Sequence, residues 1–190
     1  MTVDNNAKLS LRIKAKEYLR SLQPELVQFS ARKIFRQLID HGVFKSSSKV
    51  ACYIAIDNEV NTHEIIEILR EKNKLCYLPS VSLSGEMLFI EFAKGSSLIK
   101  TRYGTLEPAI ISDKIIDPRH LDLVIVPLLG FNKGLYRLGR GAGFYDKIFS
   151  FKKHLPPKIS PYLVGLGYVE QQVDFLPNSW DVPMDEIIVG

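Results

Sequence analysis

The sequence predicts an α/β protein with a three-layer α/β/α architecture, in which a mostly parallel, mixed and Rossmann-like central sheet lies between helices. Two helical patterns come before the first strand-like segment of the chain. After them, short and almost continuously apolar runs alternate with a further helical pattern, and such runs are typical of strands that are buried on both faces. One core commonly serves a chain of this length, so we predict a single domain over residues 1–190.

Two amphipathic helices are predicted ahead of the sheet. Between residue 7 and about residue 22, apolar side chains recur at steps of four, three and four, which is the spacing of one helix face. A second helix begins at Pro24, because proline suits the first helical turn, and we expect it to end at Gly42. Another face of the first helix carries a cation at every fourth position, namely Lys8, Arg12, Lys16 and Arg20.

Strands are predicted at five apolar runs, which span residues 50–56, 75–81, 87–92, 123–129 and 162–169. A helix between the first two runs is capped by Asn61 or Thr62, and Glu64 is placed for a capping box if Asn61 is the cap. A strand, a helix and a strand within about 30 residues predict a parallel crossover. Only a turn that contains Gly85 separates the second and third runs, so the sheet is predicted to be mixed.

Composition excludes several classes of protein. With 46% hydrophobic and 24% charged residues, the chain is not disordered as a whole. It has no run of about 18 uncharged apolar residues and no apolar segment at its start, so we predict no membrane span, no signal peptide and a cytoplasmic location. Cys52 and Cys76 lie inside apolar runs, and the histidines lie far apart in sequence, so we predict buried thiols rather than a disulfide or a zinc site.

The formal net charge of +4 raises the question of a nucleic-acid partner. Nucleic-acid-binding proteins usually show a basic tract with interleaved aromatic residues, and no such tract stands out here. A small anionic ligand explains the charge at least as well, and we predict no nucleic-acid partner. A basic nucleic-acid-binding module that uses the first helix is an alternative that rests on charge alone.

The least random stretch is GFNKGLYRLGRGAG, at residues 130–143, which holds five of the chain's 12 glycines. It follows a predicted strand and leads into a helical pattern, and this order is typical of phosphate-binding loops, with Lys133, Arg137 and Arg140 as nearby cations. The stretch lacks the Lys-Ser/Thr of a P-loop and the G-x-G-x-x-G of a dinucleotide fingerprint. On spacing alone, a phosphate cradle and a glycine-rich surface loop with solvated arginines both remain open.

The segments VPLLGFNKG and RLGRGAGFYD together resemble the signature of the 5-formyltetrahydrofolate cyclo-ligase (5,10-methenyltetrahydrofolate synthetase) family, V-P-G-L-x-F-D-x-x-G-x-R-L-G-x-G-x-G-Y-Y-D. The resemblance covers nearly the whole chain. Further blocks follow in family order: Lys8-x-x-x-Arg12, residues 58–62, Tyr103-Gly104-x-x-Glu107-Pro108, residues 164–167 and residues 180–183. The departures are Leu129 for a glycine, Asn132 for an aspartate, Ala142 for a glycine or lysine, Phe144 for a tyrosine and Asn61 for an acidic residue.

The resemblance implies that ATP phosphorylates the formyl oxygen of 5-formyltetrahydrofolate, that the 10-nitrogen closes onto the activated carbon, and that phosphate leaves to give 5,10-methenyltetrahydrofolate. It implies catalytic roles for Arg140 and Tyr145. It implies folate contacts from Ile54, Glu59, Arg140 and Phe144, and Mg²⁺ ligation by Asp146 and Asp181. The ATP-binding residues that it implies are Lys8, Arg12, Arg137, Leu138, Gly139, Arg140, Gly141, Ala142, Gly143, Phe144 and Tyr145.

We therefore predict a monomeric enzyme with ATP and 5-formyltetrahydrofolate as substrates, Mg²⁺ as cofactor and no membrane partner. Several of these residues have structural alternatives: Asp146 can stabilise a helix dipole, Glu59 can be a helix-entry acid, and Lys8 and Arg12 can belong to a solvated helix face. The alternative to the enzyme as a whole is a protein that binds a nucleotide or folate on the same fold without turnover.

Overall fold

The structure of the protein, a computed structural model, describes residues 3–101, 104–156 and 159–190. Tyr103, which belongs to one of the family-like blocks, lies outside the described residues. The α-helices of the described residues are α1 Val3–Ser21, α2 Pro24–Asp40, α3 Gly42–Ser46, α4 His63–Glu71 and α5 Phe144–Ile148. The strands are β1 Lys49–Ala51, β2 Leu75–Val81, β3 Met87–Glu91, β4 Leu98–Lys100, β5 Leu106–Pro108, β6 Ile115–Ile116, β7 Leu123–Pro127, β8 Gly130–Phe131, β9 Arg137–Leu138, β10 Tyr162–Gly167 and β11 Glu186–Val189.

Seven strands form the central sheet in the order β11–β10–β7–β1–β2–β3–β6. The pairs from β11 through to β2 are parallel, whereas β3 is antiparallel to both β2 and β6. The parallel crossover through α4 and the turn between β2 and β3 are as predicted, and the fold class is confirmed. Two small hairpins, β4–β5 and β8–β9, stand outside this sheet.

Both faces of the sheet are covered by other parts of the chain. This explains why the central strand β7 is apolar at every position. Along β7, Leu123 and Ile125 belong to a core that α1, α2 and α4 share, while Val124 and Val126 belong to a second core on the opposite face. The second core includes α5 and the 3₁₀ turn Ser150–His154. Successive side chains of a strand point to opposite faces, so a strand between two cores has no polar position.

The structure corrects the predicted ends of the first strand and of the second helix. The first strand has three residues instead of the predicted seven, because residues 52–56 leave the sheet although they remain largely buried. The second helix ends at Asp40, and Gly42 begins the one-turn helix α3, where the Nδ1 atom of His41 accepts a hydrogen bond from the amide of Val43.

The capping box predicted at α4 is not formed. The side chain of Asn61 accepts a hydrogen bond from the amide of His63 at 2.8 Å, but the helix itself begins after Thr62. The Thr62 hydroxyl donates to the carbonyl of Tyr53 instead of capping the helix. This bond ties the start of α4 to the segment that follows β1.

Two exclusions drawn from composition can be compared with the structure. Cys52 and Cys76 are both buried and free of disulfides, so the prediction of buried thiols is confirmed. In the described part of the chain, no helix has both the length and the apolar character that crossing a membrane requires.

The packing of α2 against the sheet can be tested with two substitutions on that helix. Ile34 is fully buried, whereas Leu26 is about half exposed. Ile34→Ala leaves a cavity and should lower the free energy of unfolding by about 2–5 kcal/mol. Leu26→Ala, the control, should change it by no more than about 0.5 kcal/mol. Urea unfolding of both variants checks this, and equal effects would show that α2 does not pack as described.

Candidate functional site

A cavity of about 620 Å³ lies where β1, β2 and β7 end. The carboxyl ends of neighbouring parallel strands meet at one edge of a sheet, and ligands of open α/β sheets commonly bind there. The remaining walls come from α1, the loop between β9 and α5, the β4–β5 hairpin and residues 175–181. Every residue predicted to bind ATP, folate or Mg²⁺ lines this cavity.

The glycine-rich stretch is not one continuous loop. Its first part forms the β8–β9 hairpin, and only Gly139–Gly143 forms the loop that precedes α5. Lys133, predicted as a nearby cation, is exposed on the hairpin turn and does not line the cavity. Gly141 has a φ of +111° and Gly143 a φ of +70°, which side-chain-bearing residues rarely adopt. The loop therefore depends on glycine at these two positions.

Two cations of α1 lie on the cavity wall instead of on a solvated helix face. Lys8 is 3% exposed, and its Nζ atom donates to Oδ2 of Asp181 at 3.0 Å. The Nε atom of Arg12 donates to the carbonyl oxygen of Gly139 at 2.9 Å. The first helix is thereby joined to the glycine loop and to the C-terminal segment, and the solvated-face alternative fails for these two residues.

Arg137 and Asp146 form a buried ion pair. An Nη atom of Arg137 lies 2.8 Å from Oδ2 of Asp146, and the arginine side chain is 5% exposed. Oδ1 of Asp146 accepts a hydrogen bond from the amide of Val182 at 3.1 Å. The buried Nε atom of Arg137 has no hydrogen-bond partner among the described residues, so this guanidinium keeps unused donor capacity at the cavity wall.

Arg140 and Glu59 join the glycine loop to the segment after β1. The Nε atom of Arg140 donates to Oε1 of Glu59 at 3.0 Å, and its Nη2 atom donates to the carbonyl of Ile56 at 3.2 Å. Oε2 of Glu59 accepts from the amide of Ile56 at 3.0 Å. Burial raises the pKa of Glu59, while the neighbouring Arg140 acts in the opposite direction.

The aromatic pair at the start of α5 lies between the cavity and the second core. The hydroxyl of Tyr145 is buried and has no hydrogen-bond partner in the part of the chain that the structure describes. Burial raises the pKa of this phenol well above its usual value, because the phenolate would lose its hydration. The guanidinium of Arg137 lies 5.2 Å from the centre of the Tyr145 ring. Tyr145 is therefore a neutral hydroxyl with an unused hydrogen bond.

Sequence reasoning assigned no role to one wall of the cavity. This wall consists mainly of apolar side chains from the end of β2, the start of β3 and the β4–β5 hairpin, together with the carboxylate of Glu107. The family-like block around Glu107 was the only sequence signal there. Trp180 is 63% exposed and also lines the cavity.

The carboxylates of Asp146 and Asp181 suit a metal ion that arrives with a phosphate ligand better than they suit a metal ion held by protein side chains alone. No cluster of three or more His, Cys, Asp or Glu side chains that could hold a metal occurs in residues 3–101, 104–156 and 159–190. Asp146 and Asp181 both line the cavity, but each is paired with a cation. Mg²⁺ is usually bound through one or two carboxylates together with substrate phosphates, and these two aspartates fit that pattern.

Comparison with known proteins identifies the family. The family model described as the 5-formyltetrahydrofolate cyclo-ligase family matches residues 4–190. The chain belongs to this family. It is 31% identical to the 5-formyltetrahydrofolate cyclo-ligase of Haemophilus influenzae over 183 residues, which cover 93% of this chain and 92% of that protein.

Solved structures agree with the assignment to the cyclo-ligase family. A 5,10-methenyltetrahydrofolate synthetase from Aquifex aeolicus superposes with a TM-score of 0.80 at 28% identity, covering 96% of this chain and 89% of that one. The synthetase from Mycoplasma pneumoniae gives a TM-score of 0.74 at 28% identity, with 95% and 97% covered.

The raised pKa of Glu59 predicts a pH dependence of stability. The folded protein binds the carboxyl proton of Glu59 more tightly than the unfolded chain does. The contribution of this proton to the free energy of unfolding is therefore complete below the ordinary pKa of 4.5, and it is lost as pH rises through the folded-state pKa. The free energy of unfolding of the wild type should therefore fall relative to that of Glu59→Gln as pH rises. Urea unfolding from about pH 4 to about pH 8 measures the difference.

Glu71→Gln, at an exposed helix end, controls for the loss of one negative charge. If the wild type and Glu59→Gln keep a constant difference over this range, the carboxylate of Glu59 is not desolvated as described.

Proposed function

We propose that this chain is an ATP-dependent 5-formyltetrahydrofolate cyclo-ligase that forms 5,10-methenyltetrahydrofolate, ADP and phosphate. Membership of the family supports the reaction. The observation that carries the proposal in this chain is the composition of one cavity, in which a cationic glycine loop faces the same space as a buried acid and an apolar wall. A polyphosphate needs the cationic glycine loop. A pterin ring with a polar edge needs the buried acid and the apolar wall.

The reaction proceeds in two steps. The formyl oxygen attacks the γ-phosphorus of ATP, the bond from that phosphorus to ADP breaks, and the formyl carbon becomes electrophilic. The 10-nitrogen then attacks this carbon and loses its proton, and phosphate leaves with the former formyl oxygen. Such phosphoryl transfer depends on positioning and on cations near the phosphate oxygens more than on a protein nucleophile.

The phosphate contacts come from the glycine loop and from the cations around it. The backbone amides of residues 139–143 approach the phosphates because glycines 141 and 143 adopt positive φ. Arg137 has unused donors, and Lys8 and Arg12 lie close enough to share the negative charge. Leu138 and Ala142 complete the wall of the nucleotide half of the cavity.

Glu59 is the folate acid in this proposal. A carboxylate can accept two N–H bonds from the amino-pyrimidine edge of a pterin, and both oxygens of Glu59 already accept such bonds from Arg140 and the amide of Ile56. When the pterin takes over these bonds, Arg140 is free to turn to the phosphoryl group between the two substrates. Ile54 and Phe144 enclose the ring, and the hydroxyl of Tyr145 supplies one hydrogen bond.

Asp146 and Asp181 would hold the Mg²⁺ that accompanies ATP. Mg²⁺ supplies charge compensation for the phosphate oxygens during transfer. In the protein alone, Arg137 and Lys8 neutralise the two carboxylates. Arg137 and Lys8 can move to the phosphates when the metal binds the two carboxylates. Each cation and each carboxylate then still has an oppositely charged partner.

The reaction itself is tested by following the absorbance of the methenyl product from 5-formyltetrahydrofolate, ATP and Mg²⁺. Product formation that needs all three components is expected. Folded protein that binds ATP or folate without forming product would contradict the enzyme and favour a binding protein on the same fold.

The glycine loop provides the first test of the ATP site. Gly141→Val forces a branched side chain into a positive-φ position and places its Cβ beside Arg12, 3.7 Å from Nε. The loop must then shift away from the phosphates, and we expect the dissociation constant for ATP to rise by about tenfold or more. Titration calorimetry measures it.

Gly95→Val is the matched control for this substitution. It brings the same backbone strain, at a φ of +85°, to the segment between β3 and β4, where no residue lines the cavity. It should leave ATP affinity unchanged. An unchanged dissociation constant for Gly141→Val would place the phosphates elsewhere.

Asp146 can be tested as a metal ligand against its alternative as a helix-dipole carboxylate. Asp146→Asn keeps an oxygen that can accept from the amide of Val182 but removes the charge. As a metal ligand, it should shift the Mg²⁺ dependence of the initial rate to higher concentration and lower turnover. As a structural carboxylate alone, at the helix start and beside Arg137, it should spare the rate and lower the free energy of unfolding by about 3–5 kcal/mol, because the buried guanidinium loses its partner.

Asp117→Asn is the control for this test, because Asp117 also pairs with an arginine, Arg119, but does not line the cavity. Rate curves against Mg²⁺ at saturating ATP and folate decide the question. Superimposable curves for the wild type and Asp146→Asn would exclude Asp146 as the ligand.

A further inference from the structure

The β4–β5 hairpin forms part of the cavity wall without belonging to the central sheet. Its two strands pair with each other, with Ile99 opposite Glu107. Residues 104–107 line the cavity beside the end of β2. A hairpin of two three-residue strands is marginal on its own, so its position depends on its attachment to the rest of the protein.

The attachment point is a gap at the edge of β2. On one side, β1 pairs with β2 only from Leu75 to Tyr77, and no strand of the described residues pairs with the rest of this edge. Antiparallel pairing with β3 uses the amides of alternate residues, and the amide of Val81 falls on the side that β1 no longer covers. Pro79 has no N–H group, so Val81 presents the backbone donor that this open edge must satisfy.

Glu107 fills this gap. Its Oε2 atom accepts hydrogen bonds from the amide of Val81 at 2.8 Å and from the hydroxyl of Ser80 at 3.1 Å. Its Oε1 atom accepts from the hydroxyl of Thr105 at 2.7 Å, within the hairpin itself. Glu107 is 9% exposed, and these three donors are all neutral. One carboxylate therefore joins the hairpin to the strand end.

The wall that Glu107 fixes is chemically different from the nucleotide half of the cavity. Pro79, Val81, Met87 and Leu106 give it an apolar surface, whereas the cations lie on α1 and around the glycine loop. An apolar surface suits the ring system of a folate and offers nothing to a triphosphate. A change in the position of this wall should therefore affect one substrate and not the other.

We propose that Glu107 is a positioning residue for the folate half of the cavity, because it anchors the β4–β5 hairpin to the end of β2 and so forms the wall before the substrate binds. The inference rests on the proposed function for the identity of the substrate. Glu107 acts through the hairpin and takes no part in the chemical step.

The test compares Glu107→Ala with Glu107→Gln in steady-state kinetics. Glu107→Ala removes all three bonds, and we expect the KM for 5-formyltetrahydrofolate to rise about tenfold, while the KM for ATP and the kcat at saturating folate stay within about twofold. Glu107→Gln should restore the wild-type KM. A glutamine oxygen can accept from Val81 and Ser80, and its NH₂ group can donate to the hydroxyl of Thr105.

Asp122→Ala is the matched structural control. Asp122 also accepts two backbone N–H bonds, from Ser48 and Lys49. These bonds lie at the opposite end of the parallel strands, where β1 begins. Its removal should lower the melting temperature and leave both KM values unchanged. If Glu107→Ala does not fold, Thr105→Val removes the hydrogen bonds of Thr105 to Glu107 and to Thr101 within the hairpin and leaves the two bonds to β2 in place, and it should raise the folate KM about threefold.

Two kinetic results would overturn the proposal. One is a Glu107→Ala or Thr105→Val variant that loses stability with an unchanged folate KM, and the other is a variant that raises the KM values of ATP and folate equally.

A wild-type protein without turnover would overturn the proposed function instead. Glu107 is then judged by hydrogen exchange of the ligand-free protein. Faster exchange of the β4 and β5 amides in Glu107→Ala than in the wild type and Glu107→Gln supports the anchor, and equal exchange overturns it.

Discussion

Lys8, Arg12, Arg137 and Arg140 all line one cavity, and the burial of Lys8 and Arg137 is costly unless a partner compensates each charge. The chain meets this requirement with groups from distant parts of the sequence: the carboxylates of Asp181, Asp146 and Glu59, and the carbonyl of Gly139. These contacts hold α1, the glycine loop and the C-terminal segment together around the end of the sheet. Three of the four cations are therefore paired with carboxylates of the chain itself.

The same pairing explains how the site can accept two anionic substrates. Each carboxylate has a second use in the proposed function, since Glu59 can bind a pterin edge while Asp146 and Asp181 can bind Mg²⁺. Each use releases a cation next to the place where phosphate charge develops. Binding thus exchanges one set of ion pairs for another, which costs less than creating buried charges without partners.

Much of the fold could be predicted because a strand between two cores is apolar at every position, as in β7. The same signal misled at residues 52–56, since this segment is largely buried although it leaves the sheet to line the cavity. The β4–β5 and β8–β9 hairpins have strands of two or three residues, too short to show a period. The glycine loop could be recognised from composition. The Arg140–Glu59 contact could not, because it joins residues 81 positions apart and no local pattern indicates it.

In the proposed function, the cavity brings the γ-phosphoryl group of ATP to the formyl oxygen of the folate. The most direct test uses 5-formyltetrahydrofolate labelled with oxygen-18 in the formyl group and follows the label by mass spectrometry of the released phosphate. Transfer of the formyl oxygen to phosphorus predicts one labelled oxygen in each phosphate formed by the first turnover. Unlabelled phosphate, formed together with the methenyl product, would contradict the account.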